Sequence, residues 1–137
     1  MLIRPCRPEE IAAVLDLWRL AGAEPSATDD ERSLLALIER DPDSLMIALS
    51  DGEIVGTLIA AWDGWRGQMY RLAVAAAHRR RGIGRTLVAD AERRLAKLGT
   101  RRVNALVLGE TDGAIAFWES VGYVHHRGIR RHVRTLP

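Results

Sequence analysis

The sequence predicts one α/β (α+β) domain, a mixed sheet with helices on both faces. Three observations predict it. Apolar residues recur at helical spacing in some segments and in short continuous runs in others. The strand-like runs alternate with helical ones along the chain instead of forming a block of their own. A basic, glycine-bearing loop joins one strand directly to the longest helical stripe.

Residues 2–4 predict a short strand. Pro8-Glu9-Glu10 opens a helix, because proline suits a first turn and acids suit its positive dipole end. Ile11, Val14, Leu15 and Trp18 then lie at i, i+3, i+4 and i+7, which makes one face apolar. Residues 21–27, with Gly22, Pro25 and Ser26, form a loop. A second helix begins after Thr28 or Asp29, carries Leu34, Leu35 and Ile38, and stops at Asp41-Pro42-Asp43. Strands over 45–49 and 54–62 flank Asp51-Gly52, a two-residue hairpin signal. Residues 63–67 turn the chain into a strand over 69–74. From Gly84 onward, Leu87, Val88, Ala91, Leu95 and Leu98 make one helical stripe, with Gly99 placed as its C-terminal cap. A strand over 103–108, a helix over 112–121 and two last strands from Tyr123, broken near Gly128, complete the chain. The order β α α β β β α β α β β contains no internal repeat and suits a sheet covered on both faces.

At 137 residues and 47% hydrophobic, the chain has enough apolar mass for one domain over residues 1–137. No run reaches the ~18 apolar residues of a membrane span. Residues 1–6 lack the apolar stretch of a signal peptide. Cys6 is the lone cysteine, which suits a reducing compartment, so a cytoplasmic location is expected. Net charge is only +2, but arginines crowd residues 79–85 and 127–134. A modest net charge and few aromatics argue against a nucleic-acid partner.

The chemistry concentrates in residues 72–87, where a strand ends near Val74, a basic loop follows and a helix begins near Gly84. Such a junction binds anions, because the first helical turn has N–H groups without intrahelical partners and the dipole adds positive charge. Gly82 and Gly84 remove side chains that would block phosphate oxygens. A Walker loop is excluded by the missing lysine. A dinucleotide fingerprint is excluded because Leu87 stands where the third glycine belongs.

What remains is Arg79-x-x-Gly82-x-Gly84, preceded by Leu72-x-Val74 and followed by Leu87. This stretch resembles motif A of the GNAT superfamily, the Gcn5-related N-acetyltransferases. A second resemblance is Ala114-x-x-Phe117-Trp118-x-x-x-Gly122-Tyr123, and residues 56–67 resemble small bacterial, YpeA-like members. The resemblance implies a mixed, mostly antiparallel sheet of about seven strands flanked by four helices. It implies acetyl-CoA as cosubstrate, no metal, and transfer to a primary amine by direct attack in a ternary complex. The diphosphate would rest on the backbone amides of Arg80, Arg81, Gly82, Ile83, Gly84 and Arg85, with Arg79 and Thr86 also in the cofactor set. The pantetheine arm would pair with Leu72, Ala73 and Val74 in a cleft opened toward residues 103–108. The Val74 N–H would be an oxyanion donor, a contribution of about 2.7–4 kcal/mol in comparable sites. Thr111, Phe117 and Trp118 complete the cofactor set.

The chain departs from the family pattern at three points. Trp118 stands where a Tyr usually protonates the leaving thiolate, and an indole cannot act as an acid near neutral pH. Tyr123 or Tyr70 could substitute, or the thiolate could leave unassisted, its thiol pKa being about 8.5. Thr111 replaces a usual Asn, and Ala76 a frequent Pro. Glu110 and Tyr70 are the candidate bases.

Plainer readings stand beside these. Arg79, Arg80 and Arg81 could be a solvated charge run. His125 and His126 point to opposite faces of a strand, against a metal role. Cys6 reads as a packing residue. Trp62 and Trp65 line an acceptor pocket or a surface turn. Glu24, Asp29, Asp30 and Glu31 draw a cationic amine or merely cap a helix. A non-catalytic acyl-CoA binder is the rival function, and a homodimer is left open.

Overall fold

The computed structural model describes residues 1–107 and 112–137, with Asp112 by its backbone alone. Among these residues the chain runs β1 (Leu2–Pro5), α1 (Ile11–Leu20), α2 (Glu31–Arg40), β2 (Leu45–Ser50), β3 (Glu53–Trp62), β4 (Gly67–Val74), α3 (Ile83–Lys97), β5 (Val103–Ala105) and α4 (Asp112–Ser120). The strands form one sheet in chain order, antiparallel from β1 to β4, with β5 added in parallel to β4. A parallel pair needs a long crossover, and α3 supplies it.

Two apolar layers sandwich the sheet. Met46, Ala48, Val55, Leu58 and Met69 meet Leu87, Val88, Ala91 and Leu95 of α3 on one face. Leu45, Ile47 and Ile59 meet Ile11, Val14, Trp18, Leu34 and Ile38 on the other. β2 is a continuous apolar run because both its faces are covered, so alternation carries no polar partner. Each fully buried Leu, Ile, Val or Met among them contributes about 1.5–3 kcal/mol on burial.

The helix ends follow local chemistry. Pro8–Glu10 is a 3-10 turn whose Glu10 accepts from the Arg7 N–H and forms two hydrogen bonds with Arg4. That ion pair holds the Glu10 carboxyl down at about 2. Asp30 caps α2 by accepting from the Ser33 N–H. Gly99 closes α3 with the N–H of Thr100 donating to the Leu95 carbonyl at 3.1 Å. Leu17 joins Ile11, Val14 and Trp18 on the buried face of α1, with Leu15 partly buried against the same core, and Leu35 on α2 stays exposed.

Among the described residues the sheet has five strands, not about seven. β5 ends at Ala105 rather than continuing to residue 108, and no strand follows Tyr123 among the described residues. The tail explains this physically: Val124, Ile129, Val133 and Leu136 are exposed at 69–80%, because arginine and histidine interrupt both alternating faces and leave no apolar side to bury.

Candidate functional site

The site is built on β4, whose two halves differ. Gly67, Gln68 and Met69 pair with β3 on one side and with β5 on the other. After the Leu106 N–H donates to the Met69 carbonyl, no further β5 pairing exists among the described residues, and there residues 70–74 keep only β3. The register also slips there: Tyr70 faces Ile59, but Ala73 faces Thr57, so β4 carries one extra residue. This is a β-bulge, and Arg71 sits in it with φ 55, a left-handed conformation that side chains rarely adopt. The bulge puts two consecutive side chains, Tyr70 and Arg71, on the α1 face; Leu72 and Val74 pack toward α3, and Ala73 toward α1.

Beyond the bulge, the Ala75 N–H donates to Val55 of β3. By strand alternation the N–H groups of Leu72 and Val74 point the other way, to the side that β5 has left. Among the described residues, the N–H groups of Leu72 and Val74 on this edge of β4 therefore have no strand partner.

The loop after β4 leads into α3. Arg80 has φ 63 and Gly82 has φ 79, two left-handed residues around Arg81. This turns the N–H groups of residues 80–85 into a concave array, and none of them has an acceptor among the described residues. A Cβ on Gly82 would meet nothing within 4 Å, so the concavity is open. Gly84 has another role than expected. A Cβ there would lie 3.2 Å from the Phe117 ring, so the missing side chain admits α4 against α3, while the Gly84 N–H stays in the array. Arg79 Nε donates to the Val74 carbonyl at 3.3 Å, tying loop to strand. Arg81 lies 3.5 Å from His78 Nδ1, and Arg85 donates to Ser120 Oγ. The Thr86 hydroxyl donates to the Gly82 carbonyl at 2.9 Å and braces the turn. Ile83 is buried under the loop.

Phe117 packs its ring edge-on against Trp118 at 5.4 Å, and Trp118 meets Tyr123 at 5.0 Å. Trp118 is buried with the α3 core. The Tyr123 hydroxyl points at Met69 Sδ, 3.7 Å away, in the closed half of β4 rather than at Val74. Burial, aided by the Glu92 charge, pushes this phenol up to about 12. Proton transfer from it to a thiolate near 8.5 is uphill. Glu110 and Thr111 lie outside the described residues. Cys6 is buried and its thiol is pushed up to about 11 by desolvation, a packing residue rather than a nucleophile.

The acids of the α1–α2 loop divide. Asp30 caps α2, with its carboxyl held below the usual range by the Ser33 N–H. Asp29 pairs with Arg71 at 2.6 Å, while Glu24 and Glu31 are exposed. Trp62 and Trp65 lie at the other end of β4, where Trp62 pairs with Gly67. Trp65 borders a shallow depression of about 500 Å³ with Arg66, Gly99, Arg101 and Arg102. The surface-turn reading of these tryptophans is the one the fold supports. Arg71 was invisible to pattern reasoning; its only trace is a charge inside an apolar strand.

Comparison with known proteins identifies an acetyl-transferring enzyme. The profile of the acetyltransferase (GNAT) family matches residues 11–123, and the chain belongs to that family. An acetyltransferase of Sodalis glossinidius is 32% identical over 123 residues, covering 90% of this chain and 87% of its own. An acetyltransferase of Pectobacterium atrosepticum shares 32% identity over the same length. Among solved structures, Ard1 from Thermoplasma volcanium superposes with a TM-score of 0.80 at 23% identity, covering 90% of this chain and 82% of that one. An aminoglycoside antibiotic 6'-N-acetyltransferase from Acinetobacter haemolyticus has a TM-score of 0.73 at 18% identity over the whole of both chains.

Proposed function

We propose that this acetyltransferase binds acetyl-CoA along the β4 edge and transfers the acetyl group to a primary amine by direct attack, without an acyl-enzyme. The observation that carries the reading is the unpartnered N–H array of residues 80–85, continuous through Arg79 with the open edge at Val74. A diphosphate fits that array: the donors have no acceptor among the described residues, the surface above Gly82 is open, and Arg79, Arg80, Arg81 and Arg85 lie in or beside the run. Acetyl-CoA supplies an activated thioester when bound.

The chain's own groups then do the following. The N–H groups of Leu72 and Val74 face the cleft and meet the negative charge that develops on the thioester oxygen. The amine attacks from the α1–α2 face, where Tyr70 lies. Trp118 offers no acid, so the thiolate leaves largely unassisted and turnover is slow relative to an enzyme with a general acid, by about 10²–10⁴-fold. Tyr70 is the remaining described candidate for moving the amine proton. The reaction is assigned to the cytoplasm, which the single buried thiol suits.

Calorimetry with coenzyme A tests the binding step, and free-thiol release from acetyl-CoA with a panel of peptide N-termini, lysine peptides and small amines tests transfer. Saturable binding with amine-dependent thiol release supports the reading. Binding with no thiol release against any amine leaves only an acyl-CoA binder, and no binding at all sinks both steps.

A further inference from the structure

We propose that Arg71 is a positioning residue of the transfer site: its guanidinium fastens the α1–α2 loop to the β4 bulge, so one side chain sets both walls of the cleft. The inference rests on the acetyl-CoA reading above and names the device that aligns that site.

Arg71 Nη2 donates to Asp29 Oδ2 at 2.6 Å and to the Glu24 carbonyl at 3.1 Å, bridging chain segments 42 and 47 residues away. Both side chains of the ion pair are largely buried, at 12% and 19% exposure. The guanidinium lies over the Trp18 ring at 5.3 Å. Beneath it, the Trp18 indole N–H donates to Thr57 Oγ1 at 2.8 Å, and the Thr57 hydroxyl donates to the Arg71 carbonyl at 3.0 Å. Thr57 is fully buried. A closed ring of contacts therefore runs from α1 through β3 to the bulge, and through the arginine side chain back to the loop after α1.

This ring accounts for two costs that nothing else at the site explains. An arginine holds a left-handed backbone, which persists only where the surroundings over-determine it. Its Nη1 is buried without a hydrogen-bond partner among the described residues, which an arginine serving only as a surface ion pair would avoid. Both costs are confined to the residue that precedes the outward-facing N–H of Leu72. The carboxylate of Asp29 is neutralised in the same act, so the loop is fixed in place rather than left as a free acidic lure for cations.

The test uses the whole protein and four variants: Arg71→Ala, Arg71→Gly, Arg71→Lys and Asp29→Asn. Calorimetry gives the affinities for acetyl-CoA and coenzyme A, and amide exchange reads residues 21–30. All four variants are expected still to bind coenzyme A saturably, because residues 80–85 are untouched. Wild type should prefer acetyl-CoA over coenzyme A. Arg71→Ala should lose that preference and speed exchange of the loop at least tenfold. Arg71→Gly should speed the loop equally but keep the preference, because glycine holds a left-handed bulge unaided. Arg71→Lys and Asp29→Asn should fall between. A wild type without the preference, or an Arg71→Ala protein with both properties intact, overturns the proposal. Failure of wild type to bind coenzyme A would instead remove the function reading, and the loop-exchange result would still decide the clamp.

Discussion

Two arginine- and glycine-bearing turns lie at opposite ends of β4, and they handle their backbone donors in opposite ways. In the turn before the strand, Asp63 Oδ1 accepts from the N–H of Trp65 and of Arg66, each at 2.8 Å. In the turn after the strand, the N–H groups of residues 80–85 have no acceptor among the described residues, and no acid lies within that run. The first turn carries its own anion and is structurally complete. The second presents the same kind of donors to whatever anion arrives. Composition does not separate a binding loop from a connecting loop; the presence or absence of an internal carboxylate does.

The largest expected effect comes from giving the second turn what the first already has. Gly82→Glu places a carboxylate at the array and a side chain at φ 79. Coenzyme A affinity by calorimetry should fall at least a hundredfold, that is by about 2.7 kcal/mol or more. Gly82→Ala isolates the backbone part, a left-handed cost of about 1–2 kcal/mol. Near-wild-type binding by Gly82→Glu would break the comparison.

Next comes Gly84→Val, which drives methyl groups into the Phe117 ring that already stands 3.2 Å from a Cβ position. Thermal unfolding should show a loss of about 1–3 kcal/mol. Coenzyme A binding should weaken far less than in Gly82→Glu, because this glycine serves helix packing. A hundredfold loss of binding in a stably folded Gly84→Val protein would return this glycine to the phosphate site.

Asp63→Ala should lower Tm slightly and leave coenzyme A affinity unchanged. A matching loss of affinity would show that the two turns are not independent.

The smallest effect is in pH dependence. The Arg66 and Trp65 N–H groups hold the Asp63 carboxyl below its ordinary value of 3.8, so its bracing of the turn is present above that pH and is lost as pH falls further. Amide shifts of Trp65 and Arg66 should follow that acid titration, while those of residues 80–85 should not. Glu10, held at about 2 against an ordinary 4.5, gives the same sign globally: its contribution to stability is complete above pH 4.5 and disappears as pH falls toward 2. Replacing it in Glu10→Gln should flatten the acid limb of a stability profile.

Local signals carried much of this protein. Pro8 with Glu9 and Glu10, the Asp51-Gly52 hairpin, the stripe from Leu87 to Leu95 and the Gly99 cap each lie within one turn or one strand, and each falls where the pattern puts it. Arg79-x-x-Gly82 was legible for the same reason, since a strand, a left-handed glycine and a helix N-terminus are consecutive in the chain. The end of the sheet was not: apolar residues such as Val124 and Ile129 read as strand, but strands need a partner with a face to cover, and that is a long-range condition.

The sequence by itself determined the order of elements from β1 to α4, most of the apolar faces and the strand-to-helix turn around Gly82, because these depend on residues a few positions apart. Only the tertiary structure decided that Gly84 serves Phe117, that Tyr123 turns to Met69, and that Arg71 reaches Asp29. Each of those is a contact between segments 33 to 54 residues apart, for which neither period nor spacing leaves a trace.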